Sequence, residues 1–343
     1  MSDIYIPLRQ IRQYIGLSLL VLKRFGLFKS IVVVIKFILT RTQFSLRMSK
    51  LFFSPPNYYL FMTKRCNLSC GFCHYNGELE KKDVTGTEEF QLSDLIDFEK
   101  TGVISRYSKV CLYGGEPMLN QSFFDVTRYL NQNGYLSSTI TNGAYLDKYI
   151  EKLEAIPPHF VTVSYYDGII NSKEVYIKRL SQKSIINISF IITEKNVNKI
   201  QDVIEFSIRS GAHIITMENL IDKKDYAFKS IGDLEFYNRK RKELLARYSS
   251  LIIFRWCDLY HTGAQRQKIN CSEPWDTILL DKSGRVLPCC QYPLKEFKFG
   301  KLDEIHNSEN MVNIRSDMKK GRVPKLCEGC HYLYAKDPLY RLG

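Results

Sequence analysis

Between residues 57 and 250 the chain alternates short apolar stretches with longer amphipathic ones, six times in succession. The apolar stretches predict strands at 58–62, 109–113, 137–141, 160–165, 186–192 and 213–217. The intervening stretches predict helices, and two of them, 123–133 and 197–210, are followed by a glycine in the position that ends helices. Six consecutive strand-helix units predict an α/β fold, with a parallel sheet, helices outside it, and full or partial closure as a barrel.

Three cysteines lie on a loop directly after the first predicted strand, in the sequence CNLSCGFC. Cys66, Cys70 and Cys73 are separated by three and then two residues. Three thiolates can hold three corners of a [4Fe-4S] cluster and leave the fourth iron open to substrate or cofactor. The alternative is a structural zinc site, which normally has four ligands; the nearest fourth ligand is His74, badly placed beside Cys73. Ligand sites of parallel barrels form where strands end, and this loop has that position.

A second group of cysteines lies toward the C-terminus, and it comprises Cys271, Cys289, Cys290, Cys327 and Cys330. Residues 277–290 predict a hairpin with its turn at 282–284. Clustered cysteines without a preceding secretory signal indicate the reducing cytoplasm and metal ligation rather than disulfides. A four-cysteine zinc site is one alternative for this group. Cys257 is a candidate ligand, proton donor or buried thiol, and Cys111 is predicted to lie in the core.

The first 56 residues form a basic and apolar head. They hold nine Lys or Arg residues against one acid, Asp3, so the head contributes +8 of the formal charge of +13. Cations interrupt its apolar runs before any reaches the roughly 18 residues that a spanning helix needs. At about 100° per residue it predicts two helices with basic faces, formed by Arg9, Arg12, Lys23 and Arg24 and by Lys29, Lys36, Arg47 and Lys50.

Helices of this kind suit a membrane surface, where apolar side chains enter the acyl boundary and cations meet anionic headgroups. The alternative is that both helices pack on the protein's own core. Because the basic charge is concentrated in the head and not spread over the globular part, no nucleic-acid partner is expected.

The loop CNLSCGFC resembles the CxxxCxxC loop of the radical S-adenosylmethionine (radical SAM) superfamily, including the aromatic Phe72 before the last cysteine. LYGGEP, at the end of the second predicted strand, and ITNG, at the end of the third, resemble the same family. The resemblance implies a partial (β/α)6 barrel in which SAM binds the open iron through its amino and carboxylate groups. One electron from the cluster then cleaves SAM to methionine and a 5′-deoxyadenosyl radical, which abstracts hydrogen from the substrate.

The SAM-binding residues that this resemblance implies are Gly114, Gly115, Glu116, Pro117, Thr141, Asn142 and Ser164. Two glycines let the backbone approach a ligand closely, and the glutamate can accept a cationic amino group. The fourth strand departs from the family pattern, because VTVSYYDG has a tyrosine where relatives usually have serine. Ser164 or Asp167 is therefore the candidate for contacting the ribose.

The C-terminal cysteines resemble the start of a SPASM domain, the extension that binds auxiliary clusters in peptide- and sugar-modifying relatives. No cysteine follows Cys330, so the chain is more similar to the shortened, single-cluster form called twitch. The resemblance implies a second [4Fe-4S] cluster, serving electron transfer, on Cys271, Cys289, Cys327 and Cys330, with Cys290 as the alternative to Cys289. We expect three parts, namely the head at 1–56, the barrel at 57–250 and the SPASM/twitch-like domain at 251–343.

The favoured hypothesis for function is an enzyme, peripheral on the inner face of the cell membrane, that modifies a membrane-associated substrate such as a lipid headgroup or a lipid-linked sugar. The head would hold the mouth of the barrel near that surface. A peptide- or protein-modifying enzyme is the second hypothesis, and a zinc-bound scaffold is the third. Either enzyme needs a reductant such as ferredoxin or flavodoxin. Coupling, dehydrogenation and epimerisation stay open, and no proton donor can be chosen among His74, Tyr75, Tyr166, Glu218 and Cys257.

Overall fold

The computed structural model describes residues 15, 18–19, 21–23, 25–73, 89–220, 229–256, 269–282, 286–289, 305–328, 330 and 333. Several predicted features lie outside these residues. They are the basic residues Arg9, Arg12 and Arg24, the proton-donor candidates His74 and Tyr75, and the cysteines Cys257 and Cys290.

Within the described residues, nine strands form one sheet. They are β1 (Asn57–Phe61), β2 (Lys109–Tyr113), β3 (Leu136–Thr141), β4 (Phe160–Ser164), β5 (Ile185–Ile192), β6 (Ile214–Asn219), β7 (Ile253–Trp256), β8 (Thr277–Leu280) and β9 (Val286–Leu287). Their order is β7-β6-β5-β4-β3-β2-β1-β8-β9. Every neighbouring pair from β7 to β8 is parallel, and β9 is antiparallel to β8. The predicted α/β fold is confirmed, and so is the hairpin, now seen as β8 and β9.

The sheet extends beyond the six predicted strands. β7 continues it past β6, and β8 adds to its other side by pairing with β1. Both strands come from the segment after residue 250, where no regular pattern was predicted before the hairpin. β7 has only four residues, all buried, which is too short a run for its periodicity to be read. The boundary between barrel and C-terminal domain stays a prediction, because both segments contribute to the same sheet.

The helices are α1 (Leu27–Ser45), α2 (Leu92–Lys100), α3 (Phe123–Gln132), α4 (Leu146–Ala155), α5 (Glu174–Ser181), α6 (Ile200–Arg209), α7 (Leu234–Tyr248), α8 (Glu273–Asp276) and α9 (Glu309–Lys319). Helices α2 to α7 place buried apolar side chains in one core with the strands. Gly134 and Gly211, at φ of 84° and 73°, follow α3 and α6 as predicted.

Each strand therefore has one face toward these helices and one face away from them. In β5, Ile186, Ile188 and Phe190 belong to the core shared with the helices. Because successive side chains alternate across a strand, Asn187 and Ser189 point to the opposite, inner face. Ligand sites of parallel barrels lie at the carboxyl ends of the strands, so the inner-face side chains near those ends are placed to meet a ligand.

Helix α1 crosses the amino ends of the strands. Just before it, Phe25 packs against Leu136, Ile185, Ile214 and Ile253, each of which is the first residue of its strand. The Nζ of Lys36 donates hydrogen bonds to Ser105 Oγ at 2.6 Å, Arg106 O at 2.6 Å and Ser108 Oγ at 3.0 Å. Burial lowers the pKa of Lys36 to about 8, and three acceptors match the three N–H groups of its ammonium.

Two of the four residues of the second predicted basic face therefore contact the protein itself. Besides Lys36, Arg47 donates to Ile269 O at 2.5 Å. The expected orientation, with the basic face turned toward headgroups, is corrected by these contacts. None of the described helices has the length and the apolar character that crossing a bilayer requires.

The segment that joins α1 to β1 is fastened to the C-terminal part of the chain. Arg315, in α9, is buried and donates hydrogen bonds to Ser49 O at 2.7 Å and Pro274 O at 3.0 Å. Asn307 exchanges two hydrogen bonds with the backbone of Leu51, at 2.7 and 2.9 Å. These contacts hold α1 in a fixed position relative to the sheet.

Candidate active site

The loops after β1 and β2 meet at the carboxyl edge of the sheet. The backbone N–H of Gly115 donates to Thr63 O, and that of Glu116 donates to Arg65 O, both at 2.8 Å. A Cβ atom at Gly115 would lie 2.1 Å from Arg65 O, and one at Gly114 would lie 2.7 Å from Thr63 O. The glycine pair is therefore required by the contact between two loops, and not only by the approach of a ligand.

The carboxylate of Glu116 is buried and joins the loops after β2 and β3. It accepts hydrogen bonds from Thr141 Oγ1 at 2.8 Å, from Asn142 N at 2.9 Å and from Met118 N at 3.3 Å. Burial raises the pKa of Glu116, and the three donors oppose that effect. Since the protein itself supplies donors to both oxygens, Glu116 positions these loops in this structure.

Asn142 connects the same group to the cysteine loop. Its Nδ2 donates to Asn67 Oδ1 at 2.8 Å and lies 3.9 Å from Cys66 Sγ. The structure thus brings together three segments that are far apart in sequence, CNLSCGFC, GGEP and ITNG. Pro117, the last residue of GGEP, begins a short 3-10 helix.

The three thiols of the loop influence one another. None of Cys66, Cys70 and Cys73 is in a disulfide. Burial raises the pKa of Cys66 and of Cys70. The charges of Glu116 and Cys73 raise that of Cys66 further, and the charges of Cys73 and Cys66 raise that of Cys70. Thiols that resist ionisation together are stabilised as thiolates when cations are bound among them, which is what a metal cluster provides.

A small pocket of about 110 Å³ adjoins the cysteine loop at the ends of β4 and β5. Its lining includes Phe72, Ser164, Tyr166 and Asp167. The rings of Phe72 and Tyr166 are stacked with their centroids 6.2 Å apart. Burial and the nearby thiols, Cys70 first, raise the pKa of Tyr166, so its hydroxyl stays protonated. Both candidates for the ribose contact therefore line a pocket beside the loop.

The inner face of the sheet has a polar half, of which sequence reasoning singled out only Glu218. Thr216 Oγ1 donates to Asn187 Oδ1 at 2.9 Å, and Ser189 Oγ donates to Glu218 Oε1 at 2.9 Å. Burial raises the pKa of Glu218. The signal in the sequence was the alternation of polar with apolar residues inside β5 and β6. The opposite half, beside β1, β2 and β8, is lined by Phe61, Cys111, Tyr113 and Leu279.

Three of the C-terminal cysteines form a second group of thiols. Burial raises the pKa of Cys327 to about 12, with the charges of Cys271 and Cys330 acting in the same direction. Cys271 is buried beside Trp275 in a small core of its own. Because Leu287 lies opposite Leu279 in an antiparallel pair, the chain returns Cys289 toward the start of β8, where Cys271 lies.

The two groups of thiols lie toward opposite ends of the sheet. Cys271 precedes β8, whereas the loop with Cys66 follows β1, and β1 and β8 are parallel. A strand of five residues spans about 17 Å at roughly 3.3 Å per residue. The second group is therefore placed to serve a separate centre.

Two sequence profiles match the chain. That of the radical SAM superfamily matches residues 60–167, and that of the iron-sulfur cluster-binding domain called SPASM matches residues 271–331. The first match covers the cysteine loop, GGEP, ITNG and the end of β4, and the second covers the C-terminal cysteines. The chain thus contains a radical SAM domain and a SPASM domain. Radical SAM and SPASM domains together imply three cofactors, which are SAM, a [4Fe-4S] cluster and an auxiliary [4Fe-4S] cluster.

Two curated relatives of this radical SAM protein differ in how much of it they match. A probable GTP 3′,8-cyclase of Sulfurisphaera tokodaii is 28% identical over 176 residues, 46% of this chain and 54% of the relative. The antilisterial bacteriocin subtilosin biosynthesis protein AlbA of Bacillus subtilis is 24% identical over 293 residues, 78% of this chain and 62% of the relative. The chain thus spans between about half and three fifths of the length of these relatives.

Solved radical SAM structures share the fold. SuiB of Streptococcus suis bound to S-adenosylmethionine superposes with a TM-score of 0.62 at 15% identity, over 80% of this chain and 71% of SuiB. The enzyme anSMEcpe with bound AdoMet gives a TM-score of 0.57 at 16% identity, over 81% of this chain and 88% of its own.

The radical SAM site makes a direct prediction for Glu116. We expect Glu116→Gln to lower the free energy of unfolding by about 1–3 kcal/mol, because an amide N–H then faces the donors from Thr141 and Asn142. SAM should bind more weakly as the two loops separate. Urea denaturation and equilibrium dialysis with labelled SAM test both effects. Asp125→Asn, on the exposed side of α3, is the matched control, and equal stability of the two variants would contradict the prediction.

Proposed function

We propose that this radical SAM enzyme modifies a peptide substrate. The proposal rests on the similarity to AlbA together with that to SuiB. The alignment with AlbA covers 78% of this chain, which is long enough to include both the barrel and the C-terminal cysteines. A cofactor-modifying protein of Pyrococcus furiosus aligns over a similar 75% of this chain, so the choice of a peptide depends on SuiB as well. The matched part of the probable GTP 3′,8-cyclase is much shorter, at 176 residues. SuiB, which shares the fold, has been solved bound to its precursor peptide SuiA.

In the proposed site, Cys66, Cys70 and Cys73 hold the catalytic cluster. When bound and reduced, this cluster supplies the electron that cleaves SAM to methionine and a 5′-deoxyadenosyl radical. The backbone at Gly114, Gly115 and Pro117 and the side chain of Asn142 shape the adjoining SAM site, while Glu116 and Thr141 fix its loops. Ser164 or Asp167 contacts the ribose from the pocket beside Phe72.

The substrate is proposed to lie over the inner face of the sheet. The polar half of this face offers hydroxyl, amide and carboxyl groups, among them Ser189, Asn187 and Glu218. Such groups suit the backbone amides and polar side chains of a peptide, because buried polar groups need partners. Polar groups arranged on a rigid sheet also hold a substrate in a fixed orientation.

Cys271, Cys289, Cys327 and Cys330 are proposed to hold the auxiliary cluster, with electron transfer as its role. Radical SAM chemistry needs a reductant, for which we propose ferredoxin or flavodoxin. We also propose that the chain has three parts, with boundaries at residues 56 and 250.

The alternative substrate is a lipid headgroup or lipid-linked sugar. It required the head to hold the mouth of the barrel near a membrane. The structure places α1 at the amino ends of the strands, whereas the cysteine loop and GGEP lie at the carboxyl ends. This separation favours the peptide over the lipid as substrate. A zinc-bound scaffold is the third candidate, and it predicts no cleavage of SAM.

Transfer of deuterium separates these candidates without knowledge of the substrate. The reconstituted, reduced enzyme is incubated anaerobically with SAM and either fully deuterated small bacterial polypeptides or a deuterated lipid extract. We expect 5′-deoxyadenosine to gain deuterium from the polypeptides only, measured by mass spectrometry. If 5′-deoxyadenosine gains deuterium only from the lipids, the substrate is a lipid and not a peptide. If the protein contains zinc and forms no 5′-deoxyadenosine, it is not a radical SAM enzyme.

A further inference from the structure

Helix α1 exposes a continuous row of apolar side chains. Leu27, Phe28, Ile31, Val34, Ile35 and Ile38 are each between 46% and 68% exposed and follow the spacing of one helix face. Leu46, Phe52 and Phe53, just beyond α1, extend the row, and we call these nine residues the apolar stripe. Of the fourteen exposed large hydrophobic side chains in the described residues, eleven lie between Ile15 and Phe53. Soluble surfaces rarely concentrate apolar groups in this way.

The opposite face of α1 is fixed to the protein. Lys36 donates three hydrogen bonds to the segment before β2. Arg41 lies 3.5 Å from Asp276, and Gln43 is buried. The side chain of Gln43 also accepts hydrogen bonds from Phe52 N at 2.6 Å and Phe53 N at 3.0 Å, which holds this pair of rings in place. The helix cannot roll to bury the stripe without breaking these contacts.

The charges near the stripe indicate what covers it. Residues 4–56 contain nine Lys or Arg residues and no Asp or Glu. Lys23, just before α1, and Lys50, just after it, are both exposed. Helix α1 has an apolar face, cations at its ends and no acids, and the cations within it prevent it from spanning a bilayer. This is the pattern of a helix that lies in a membrane interface. Anionic headgroups attract such cations, whereas a neutral surface does not.

We propose that the apolar stripe docks the enzyme on the surface of an anionic lipid bilayer. Such docking depends on neither the reaction nor the substrate. The apolar side chains would enter the headgroup and acyl boundary, and the flanking lysines would meet lipid phosphates. The bilayer would then lie along the amino edge of the sheet, which α1 covers.

This arrangement directs the active site away from the membrane. The loop with Cys66 and Gly115 follows the carboxyl ends of β1 and β2, a strand length of about 17 Å or more from α1. A docked enzyme would therefore take its substrate from the aqueous side. The expectation that the head brings the barrel mouth toward the membrane is replaced by the reverse orientation.

Sedimentation with vesicles tests the docking surface. The full-length reconstituted protein is mixed with vesicles of phosphatidylcholine alone or of phosphatidylcholine with phosphatidylglycerol. We expect binding to the anionic vesicles, and we expect Ile31→Ser/Ile35→Ser to reduce the partition coefficient about tenfold or more. Val175→Ser, at a 57% exposed position on α5, is the matched control and should bind as the parent does.

Two outcomes would overturn the proposal. One is binding that the stripe variant leaves unchanged. The other is that the protein binds neither kind of vesicle and forms a dimer in light scattering, and that the same substitutions dissociate this dimer. In that case the stripe would be the contact surface for a second copy of the chain. Both variants change exposed positions, and circular dichroism and iron content confirm that each is folded.

The two tryptophans of the chain test the orientation. Trp275, in α8, contacts Phe44 of α1 at a centroid distance of 5.3 Å, whereas Trp256 ends β7 at the carboxyl edge. With a dansyl-labelled lipid in the anionic vesicles, Trp256→Phe, which keeps only Trp275, should lose a larger fraction of its emission on docking than Trp275→Phe. Equal losses, or the reverse order, would overturn the orientation. Iron content again checks that both variants are folded.

Discussion

Replacing Cys66, Cys70 and Cys73 together by alanine should remove about four of about eight iron atoms from the reconstituted protein and abolish 5′-deoxyadenosine formation. Each thiolate supplies one corner of the proposed catalytic cluster, so the variant has no ligand left on that loop. The C-terminal thiols lie toward the other end of the sheet, and their cluster should survive. Iron, sulfide and 5′-deoxyadenosine are measured after anaerobic reconstitution.

Cys111→Ala is the matched control for this experiment. Cys111 is buried in β2 among apolar side chains, as the sequence predicted, and its removal takes away a thiol without touching either proposed cluster site. This control should keep all its iron. A triple variant that retains full iron, or a parent that contains zinc, would contradict the assignment of the loop.

The sequence predicted six strands because buried parallel strands are short apolar runs separated by helices of clear periodicity. β1 to β6 were found within two residues at each end. β7 was missed because a run of four buried residues is too short to show a periodicity. The pairing of β8 with β1 joins residues more than two hundred positions apart. Local pattern contains no information about such a pairing.

The candidate site likewise has residues that are close together in the sequence and contacts between residues that are far apart in it. The three cysteines lie within eight residues and are visible in the sequence. The role of Glu116 depends on its donors at Thr141 and Asn142, which only the adjacency of β2 and β3 brings near. From the sequence alone, a carboxylate beside two glycines suggested a partner for the amino group of a ligand.

The orientation of α1 also depends on contacts between residues that are far apart in the sequence. Its periodicity defines a basic and an apolar face, but it does not say which one faces the protein. That is decided by Ser105, Arg106 and Ser108, about 70 positions away, which accept the hydrogen bonds of Lys36. An amphipathic pattern alone would place the apolar face inward. Here the buried residues of the helix, Ser30, Thr40 and Gln43, are polar.

Gly115→Ala should destabilise the fold by about 3–5 kcal/mol and eliminate SAM cleavage. Its Cβ would lie 2.1 Å from Arg65 O, which is a backbone atom and already accepts the N–H of Glu116. Relief of this clash requires the loop after β2 to separate from the cysteine loop. The matched control is Gly232→Ala, where an added Cβ meets no atom within 4 Å, and its stability should change by only about 0.5 kcal/mol.

Chemical denaturation, iron content and 5′-deoxyadenosine formation distinguish two reasons for this glycine. If Gly115→Ala is as stable as Gly232→Ala and keeps its iron but cannot bind SAM, the glycine serves the approach of the ligand, as the sequence suggested. If stability and binding fall together, the glycine serves the joint between the two loops. The backbone contacts at Thr63 and Arg65 favour the second result, because they already fill the space that a methyl group would need.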